Sequence, residues 1–506
     1  MSLFGLGGTD TNDFNALMEF PTYERWTSII GGIIQRREPI ERRWRKLYND
    51  FRGEQIVDGS DDEIIVNVTF GNTKVVESVM YYQDPYFRIR PARDVALAPR
   101  AALLEELLNT FWYKLKVGVQ VKLAILDATI TGLGHVLVGH ADYHEVNPNK
   151  RGSLYVRRRS PLDVYTEDDL ANMSDATFWV TRGLYSVRWL EKVFGKKLTW
   201  KPDTDSKVFM RRGMANRYST QATIYEVIDL VTNKIYWLSP QHRKIIYETG
   251  NPYEYYKDTP YCTLAFIPDP ERMLPISPNG IVEGQQDELN KIRTQQQRHR
   301  KRFNRRYLAQ EKAIDADELA KIEAGEDGTI AFCKGNPNNV IVPIQDAPLD
   351  PASTQMYQQD IKGDMREILG INEYLRASAI PRTKTAQEAS MIQQGSSVRT
   401  QNLSSYLETF LVDIAKRMVA VIQNEYDGIQ ELVKERSLGQ YDARQWTKED
   451  VAGDFDIEIN LGSTLPPQPI PYEQLQQSPL LGAAPGNEMG APQQASGAGQ
   501  GGGGQF

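Results

Sequence analysis

The chain has 506 residues, 40% hydrophobic and 25% charged, which is ordinary globular usage with ample material for a core and excludes wholesale disorder. Its 59 basic and 66 acidic residues leave a net charge of −7, which excludes a general electrostatic nucleic-acid binder and confines any such role to local patches. Two cysteines, Cys262 and Cys333, with no CxxC pair, exclude a disulfide scaffold and a Cys-rich zinc site and fit a reducing cytoplasm.

At about 150 residues per domain the length allows two to four domains. The N-terminal stretch, residues 1–20, lacks a basic region ahead of an apolar one, so no secretory signal is expected there. The longest apolar run, Ile29 to Ile34, is far short of the roughly 18 residues that span a bilayer. In chain order, Trp26, Ile29, Ile30, Ile33 and Ile34 form a helical stripe over 21–36. Glu38-Pro39 predicts a reset and a second helix, with Ile40, Trp44, Leu47, Tyr48 and Phe51 at helical spacing and Gly53 at its end. Val75, Val76, Val79 and Met80 mark a third helix, ending before Asp84-Pro85. Tyr86–Arg90 alternates as a strand. The spacing of Leu104, Leu107, Leu108, Phe111, Leu115 and Leu126 predicts one long helix over 100–131, broken by Gly132 and Gly134.

From there to about 270 the pattern is mostly β. His135–Val138, Leu154–Arg157, Phe178–Gly183 and Ala222–Leu230 read as strands, with a turn at Thr232-Asn233 and a short helix from Ser186 to Phe194 closed by Gly195. Ser277-Pro278 is an N-cap and first-turn pair opening a helix over 279–307, about 40 Å long. That helix is polar nearly all round, so it must bridge domains or stand beside copies of itself. Within 308–350, Asp315-x-x-Glu318 reads as a capping box, Thr329–Cys333 and Val340–Ile344 as two strands. Asp350-Pro351 opens a further helix with the stripe Tyr357, Ile361, Met365, Ile368 and Leu369, ended by Gly370; a plain helical hairpin with a decorated loop fits this spacing too. An irregular segment, 371–384, leads to a capping box at Thr385-x-x-Glu388 and a helix to about Tyr426, striped by Leu403, Leu407, Phe410, Ile414, Met418 and Val421. Phe455–Asn460 alternates as a strand. The Gly/Pro/Gln-rich tail, 464–506, lacks the apolar content to order itself.

No P-loop, HExxH, GxSxG or EF-hand pattern occurs. His135 and His140 fall on opposite strand faces, which speaks against a metal site with His144. Asp61-Asp62-Glu63 and Glu167-Asp168-Asp169 read as solvated loop charges, and both cysteines as small buried hydrophobes. The run Arg298-His299-Arg300-Lys301-Arg302-Phe303-Asn304-Arg305-Arg306 surrounds its helix with cations. Three readings stay open: a solvated helix end, pairing with carboxylates of neighbouring copies, or phosphate contact. Arg376, Arg382 and Lys384 are either DNA-facing cations or an ordinary basic loop.

Four stretches and their order carry a resemblance. They are Asn72–Ser78 leading to Asp84–Phe87, Leu126–Gly134, Ser160–Tyr165 and Gln286–Lys291. Together with the polar helix, small insert, return helix, loop and long amphipathic helix, they resemble the portal (head–tail connector) proteins of tailed double-stranded DNA bacteriophages, over roughly 20–465. The resemblance implies an α+β, mainly helical subunit of wing, stem, clip and crown, arranged as a ring with a central channel, usually of twelve copies. It implies a flexible 1–20, a wing at 21–278, stem helices at 279–306 and 351–370, a clip at 307–350 and a tunnel loop at 371–384. A wing-to-crown helix and a returning wing strand would fill 385–463, and the tail replaces the helical barrel of some portals.

By the same resemblance, Arg376, Arg382 and Lys384 would touch DNA. Arg298, Arg300, Arg302 and Arg305 would meet Asp360, Asp364 and Glu367 of adjacent subunits. Glu311, Lys312, Glu318, Lys321, Glu323 and Glu326 would offer partner-binding surface. The implied partners are copies of the chain, double-stranded DNA, the terminase large subunit, a head-completion or tail adaptor, and the major capsid and scaffolding proteins. No membrane, metal, cofactor or catalytic residue is implied. The place would be the capsid portal vertex, after assembly in the bacterial cytoplasm. Another virion adaptor, or a nucleic-acid-binding packaging enzyme with a carboxylate metal site, are the alternatives.

Overall fold

The structure is a computed structural model that describes residues 22–54, 64–140, 154–168, 170, 172–194, 199–201, 221–256, 259–302, 307–309, 314–324, 332–334, 341–343, 351–370, 386–426, 430–437 and 440–459. The chain is mixed α and β, with more helix than strand (54% against 23%). No helix among these residues is long and apolar enough to cross a membrane.

The first helix, α1 (Thr22–Arg52), is continuous, and the expected break at Pro39 does not occur. Trp26, Ile30, Ile33, Arg37, Glu41, Trp44 and Leu47 form one unbroken buried stripe, while Pro39 lies on the exposed side. There water can satisfy the carbonyls that the proline leaves unbonded, so burial on the other face holds the helix together. After α2 (Val68–Met80) comes β1 (Phe87–Pro91). The expected single helix over 100–131 is instead two, α3 (Ala98–Lys114) and α4 (Val117–Thr131). Lys116 takes a left-handed conformation (φ 53°) between them, which brings Gly118 against Tyr81 and Asp84. The apolar periodicity runs across this break, which is why spacing alone hides it.

The β region contains two sheets. Strands β2 (Gly134–His140), β3 (Leu154–Arg159) and β9 (Tyr261–Leu264) pair antiparallel in the order β3-β2-β9. Strands β4 (Val164–Tyr165), β5 (Phe178–Ser186), β6 (Gln221–Asp229), β7 (Lys234–Ser239) and β8 (Lys244–Gly250) form a sequential antiparallel sheet. A short helix, α5 (Val187–Phe194), follows β5. Sequence reading finds the turn at Thr232-Asn233 but not the two strands after it. The five-stranded sheet packs Val180, Val227, Tyr236 and Leu238 against Trp26, Ile30 and Ile33 of α1. Its other face packs Ala222, Ile224, Ile235 and Trp237 against Leu190 of α5 and against Leu137 and Tyr261 of the small sheet. The opposite face of the small sheet, with Val136, Val138, Cys262 and Leu264, belongs to the helical core. Strand β2 is therefore buried throughout.

Two more helices, α6 (Pro278–Ile281) and α7 (Glu283–Arg302), begin the polar stretch; Val282 departs from helical geometry between them. Next come β10 (Tyr307–Ala309), α8 (Ala316–Ala324), β11 (Ile341–Pro343), α9 (Pro351–Leu369) and α10 (Ala386–Glu425). Leu407, Phe410, Leu411, Ile414, Met418, Val421 and Ile422 of α10 fill the helical core with α3, α4 and the small sheet. The chain continues through β12 (Gln430–Ser437) and β13 (Gln440–Trp446), a hairpin that sequence reading does not anticipate. Strand β14 (Phe455–Ile459) pairs antiparallel with β1, Phe87 opposite Ile459, tying the two ends of this region together.

Several local expectations need correction. Within 307–350, β11 pairs with β10 and not with Thr329–Cys333; Cys333 makes only an isolated bridge to Ile314. The ends of the insert thus close on each other instead of forming a local hairpin. Cys262 is buried, but Cys333 is only half-buried. The Asp315/Glu318 pair is not a reciprocal cap: the Glu318 carboxylate accepts from Lys321 and from the Phe332 backbone N–H at 3.0 Å. Asp168 is not a lone solvated charge, since Arg36 grips it with two hydrogen bonds of 2.7 and 2.8 Å. Thr385, Asp61 to Glu63, His144 and the tail after Ile459 lie outside the described residues.

Between the two sheets, the buried Glu226 carboxyl on β6 lies among Arg159, Tyr155, Tyr261 and Tyr185. Burial pushes its pKa up to about 7, against the pull of Arg159 and a hydrogen bond from Trp237. The folded state therefore holds a proton that the unfolded chain has released above its ordinary value near 4.3, and stability falls as pH rises from there to about 7. Relative to Glu226→Gln, the wild type should lose on the order of 3 kcal/mol across that interval. Urea melts of both proteins from pH 4.5 to 8 measure this; parallel pH profiles would contradict it.

Candidate functional site

The polar helix α7 has an intrachain partner that its composition does not reveal. Gln286, Asn290 and Thr294, four residues apart on one face, are buried. They face the segment 64–69, which runs extended into α2. The Ile64 N–H donates to Thr294 Oγ1 at 3.1 Å, and the Val66 N–H donates to Asn290 Oδ1 at 2.9 Å. The Thr69 N–H and hydroxyl both donate to Gln286 Oε1, and Gln286 Nε2 donates to the Val66 carbonyl at 2.8 Å. Four helical residues rise about 6 Å and two extended residues about 6.6 Å, so the side chains of one helix face can serve as the hydrogen-bonding edge for a strand. The expectation that α7 cannot bury itself within its own chain is thus wrong for its first half.

Three of the four stretches that carry the family resemblance converge at the entry to α7. From the first, Thr73 accepts a hydrogen bond from Asn279 Nδ2 at 2.9 Å. From the second, the Ile130 carbonyl accepts from Ser277 Oγ at 2.6 Å. Gly132, at φ +94°, leaves no room for a side chain, because a Cβ would stand 2.7 Å from the Pro275 carbonyl oxygen. The third contributes Gln286 itself. The fourth, Ser160–Tyr165, lies elsewhere. There the buried Arg37 guanidinium of α1 donates to the Val164 and Pro161 carbonyls at 2.6 and 2.7 Å.

Ion pairs set the direction in which α7 leaves. Lys46 of α1 bonds Glu283 and Asp287 at 2.7 and 2.8 Å, and Arg43 bonds Glu283 at 3.0 Å. Burial opposes ionisation of Glu283, yet the hydrogen bonds from Lys46 and Arg43 hold its carboxyl below the usual range. These pairs are partly exposed and contribute little stability, but both acids lie in the first turns of α7, where the helix dipole favours them.

Helix α9 returns antiparallel to α7. Val282, Leu289, Ile361 and Met365 form their shared core, with Val66, Val68, Ile292 and Leu369 around it. Farther out, Gln358 Nε2 donates to Gln296 Oε1 at 2.8 Å. Asp360, Asp364 and Glu367 are exposed, on a face that also carries Met356, Tyr357 and Ile368. The antiparallel register sets Arg298 and Arg300 roughly one to two turns from the level of Asp360, toward the end of α7 that leads to the insert. Arg300 is exposed and Arg298 half-buried. Arg302 ends α7, and Arg305 lies outside the described residues.

Of the surface expected on the insert, Lys321 and Glu318 pair on α8 at 2.7 Å and Glu323 sits in its last turn. Phe332, missed in the sequence, is 73% exposed beside them. Glu311, Lys312 and Glu326 lie outside the described residues, as do Arg376, Arg382 and Lys384. Among the described residues, no group of three or more His, Cys, Asp or Glu side chains is placed to hold a metal ion. His135 is buried beside Thr263, 3.1 Å away, and burial holds its pKa down to about 3.

Replacing Asn290 with Leu would leave the Val66 N–H without its acceptor inside the protein. A loss of about 1–3 kcal/mol is expected, measured by urea unfolding, with Lys291→Ala on the exposed side of the same turn unchanged within about 0.5 kcal/mol. No protein-family description matches the chain, and no curated protein matches it.

Proposed function

We propose that this chain is a portal subunit of a tailed bacteriophage. A ring of about twelve copies would sit at one capsid vertex, as packaging conduit, motor dock and later tail-adaptor seat. The observation that carries the reading is the α7/α9 pair. Two long antiparallel helices leave a mixed α and β body, bracket a small insert closed by β10 and β11, and share only a short apolar core near their base. Beyond that core the pair is polar, and Met356 and Tyr357 of α9 are each 65% exposed next to the acidic row. Such a pair is unstable as an isolated spike. Side by side with copies of itself it would cover the apolar side chains and set the arginines of one copy against the carboxylates of the next.

In this reading 307–350 receives the terminase large subunit and the adaptor, and 371–384 meets DNA. The body meets the major capsid and scaffolding proteins at the virion vertex. ATP hydrolysis belongs to a separate motor protein, since the sequence has no P-loop. A net charge of −7 suits a conduit, because a strongly basic lining would hold phosphates through counterion release.

Electron microscopy and native mass spectrometry of one purified sample test the reading. Rings of about a dozen subunits with an open axial channel are expected. Monomers or dimers at every salt concentration would overturn it. The double substitution Asp360→Lys with Asp364→Lys should reduce the ring fraction by about tenfold at low salt, while leaving the unfolding midpoint of the subunit within error. Unimpaired assembly would remove these two acids from the interface.

A further inference from the structure

We propose that the β12–β13 ribbon is an assembly arm that docks on a neighbouring copy of this chain by edge-strand pairing. The proposal rests on the ring reading above and adds a second interface to it, away from the α7/α9 pair.

The ribbon consists of Gln430–Ser437 and Gln440–Trp446, paired from Gln430 opposite Trp446 to Ser437 opposite Gln440, with a bulge between Glu435 and Ser437. Among the described residues neither strand pairs with any third strand. Its base is fixed: Trp446 is buried and lies 5.7 Å from the Tyr426 ring at the end of α10. Just beyond the base the chain leaves the core, for Glu431, Ala443, Arg444 and Gln445 are exposed. A two-stranded ribbon standing by itself is marginal in water, and each outer edge carries backbone N–H and C=O groups with no strand opposite.

Charge selects the occupant. The segment 430–446 contains Glu431, Glu435 and Asp442 against Lys434, Arg436 and Arg444, so its net charge is zero. A neutral ribbon has no means to hold phosphates, and it favours neither a strongly acidic nor a strongly basic partner. Alternating signs on one short segment suit a copy of the same surface, where each acid can find a base. A head-to-tail ring also places one neighbour on each side of every subunit, so an arm with two open edges has a partner in every copy.

Hydrogen–deuterium exchange on the wild-type ring, and on subunits dissociated from it, tests this. In a lone ribbon about half of the amides point outward and stay unbonded. Docking protects these as well, so more than half of the amides over 430–446 should exchange about tenfold more slowly in the ring than in the subunit. A second readout is a variant with 431–445 replaced by a short Gly/Ser turn, which keeps Trp446. It should fold, with an unchanged circular dichroism spectrum, and form rings that dissociate at lower denaturant than wild type. Ribbon amides that exchange equally fast in ring and subunit, with variant rings as robust as wild type, would overturn the proposal and leave the arm to a different partner. Equal protection in ring and subunit would overturn it too, showing that the chain covers its own ribbon. Failure of the wild type to form rings would instead refute the ring reading on which the arm depends.

Discussion

The hydrogen-bond ladder between α7 and the segment 64–69 is the constraint on which the rest depends. Gln286, Asn290 and Thr294 supply acceptors that the backbone of an extended segment must find somewhere once it is buried. Because the acceptors sit on a helix, the segment and the helix are fixed in position and rotation together. The short apolar core with α9 then has a defined face to pack on, and the ion pairs from Arg43 and Lys46 hold the first turns against α1. Loss of one rung leaves an unsatisfied buried donor, which costs more than the net value of the bond it replaces.

This arrangement explains how a helix with so few apolar residues can be firmly rooted yet remain polar along its length. A hydrophobic base would need apolar residues on the inner face, and continuing that pattern outward would expose an adhesive stripe on the projecting half. Amide and hydroxyl rungs are satisfied at the base by the backbone of 64–69, and their counterparts farther out are satisfied by water. The same chemistry serves both environments. That duality suits a helix whose outer half meets charged neighbours in the proposed ring.

Two sandwiched sheets form the counterweight. The five-stranded sheet is clamped between α1 and the small sheet, and the small sheet is itself covered by the α3, α4 and α10 core. Buried polar groups mark the seams: Arg37 on the backbone of Ser160–Tyr165, Arg158 on Asp127 with Tyr48, and Glu226 near Arg159 between the sheets. Each seam joins elements far apart in sequence, so the groups specify which surfaces meet as much as how strongly.

Much of this was legible in the residues. The apolar stripes of α1, α9 and α10, the β character after Gly134 and the N-cap at Ser277 follow from period and capping chemistry, which are local properties. The order of elements was enough to suggest a ring-forming subunit. What stayed hidden is non-local. Pro39 reads as a break because local sterics oppose it, and only burial of the opposite face keeps the helix whole. The α3–α4 kink is hidden because its stripe continues through Lys116, and the conformation there answers to packing against Tyr81 and Asp84. Strand β10 pairs with β11 across the whole insert, a choice between partners that short β-prone runs cannot make by themselves. Gln286, Asn290 and Thr294 looked like solvent-facing residues because a polar side chain carries the same signature whether it faces water or a buried backbone amide. The sequence by itself determined where helices and strands can form; the tertiary structure decided which polar face is interior, because that depends on what arrives opposite it.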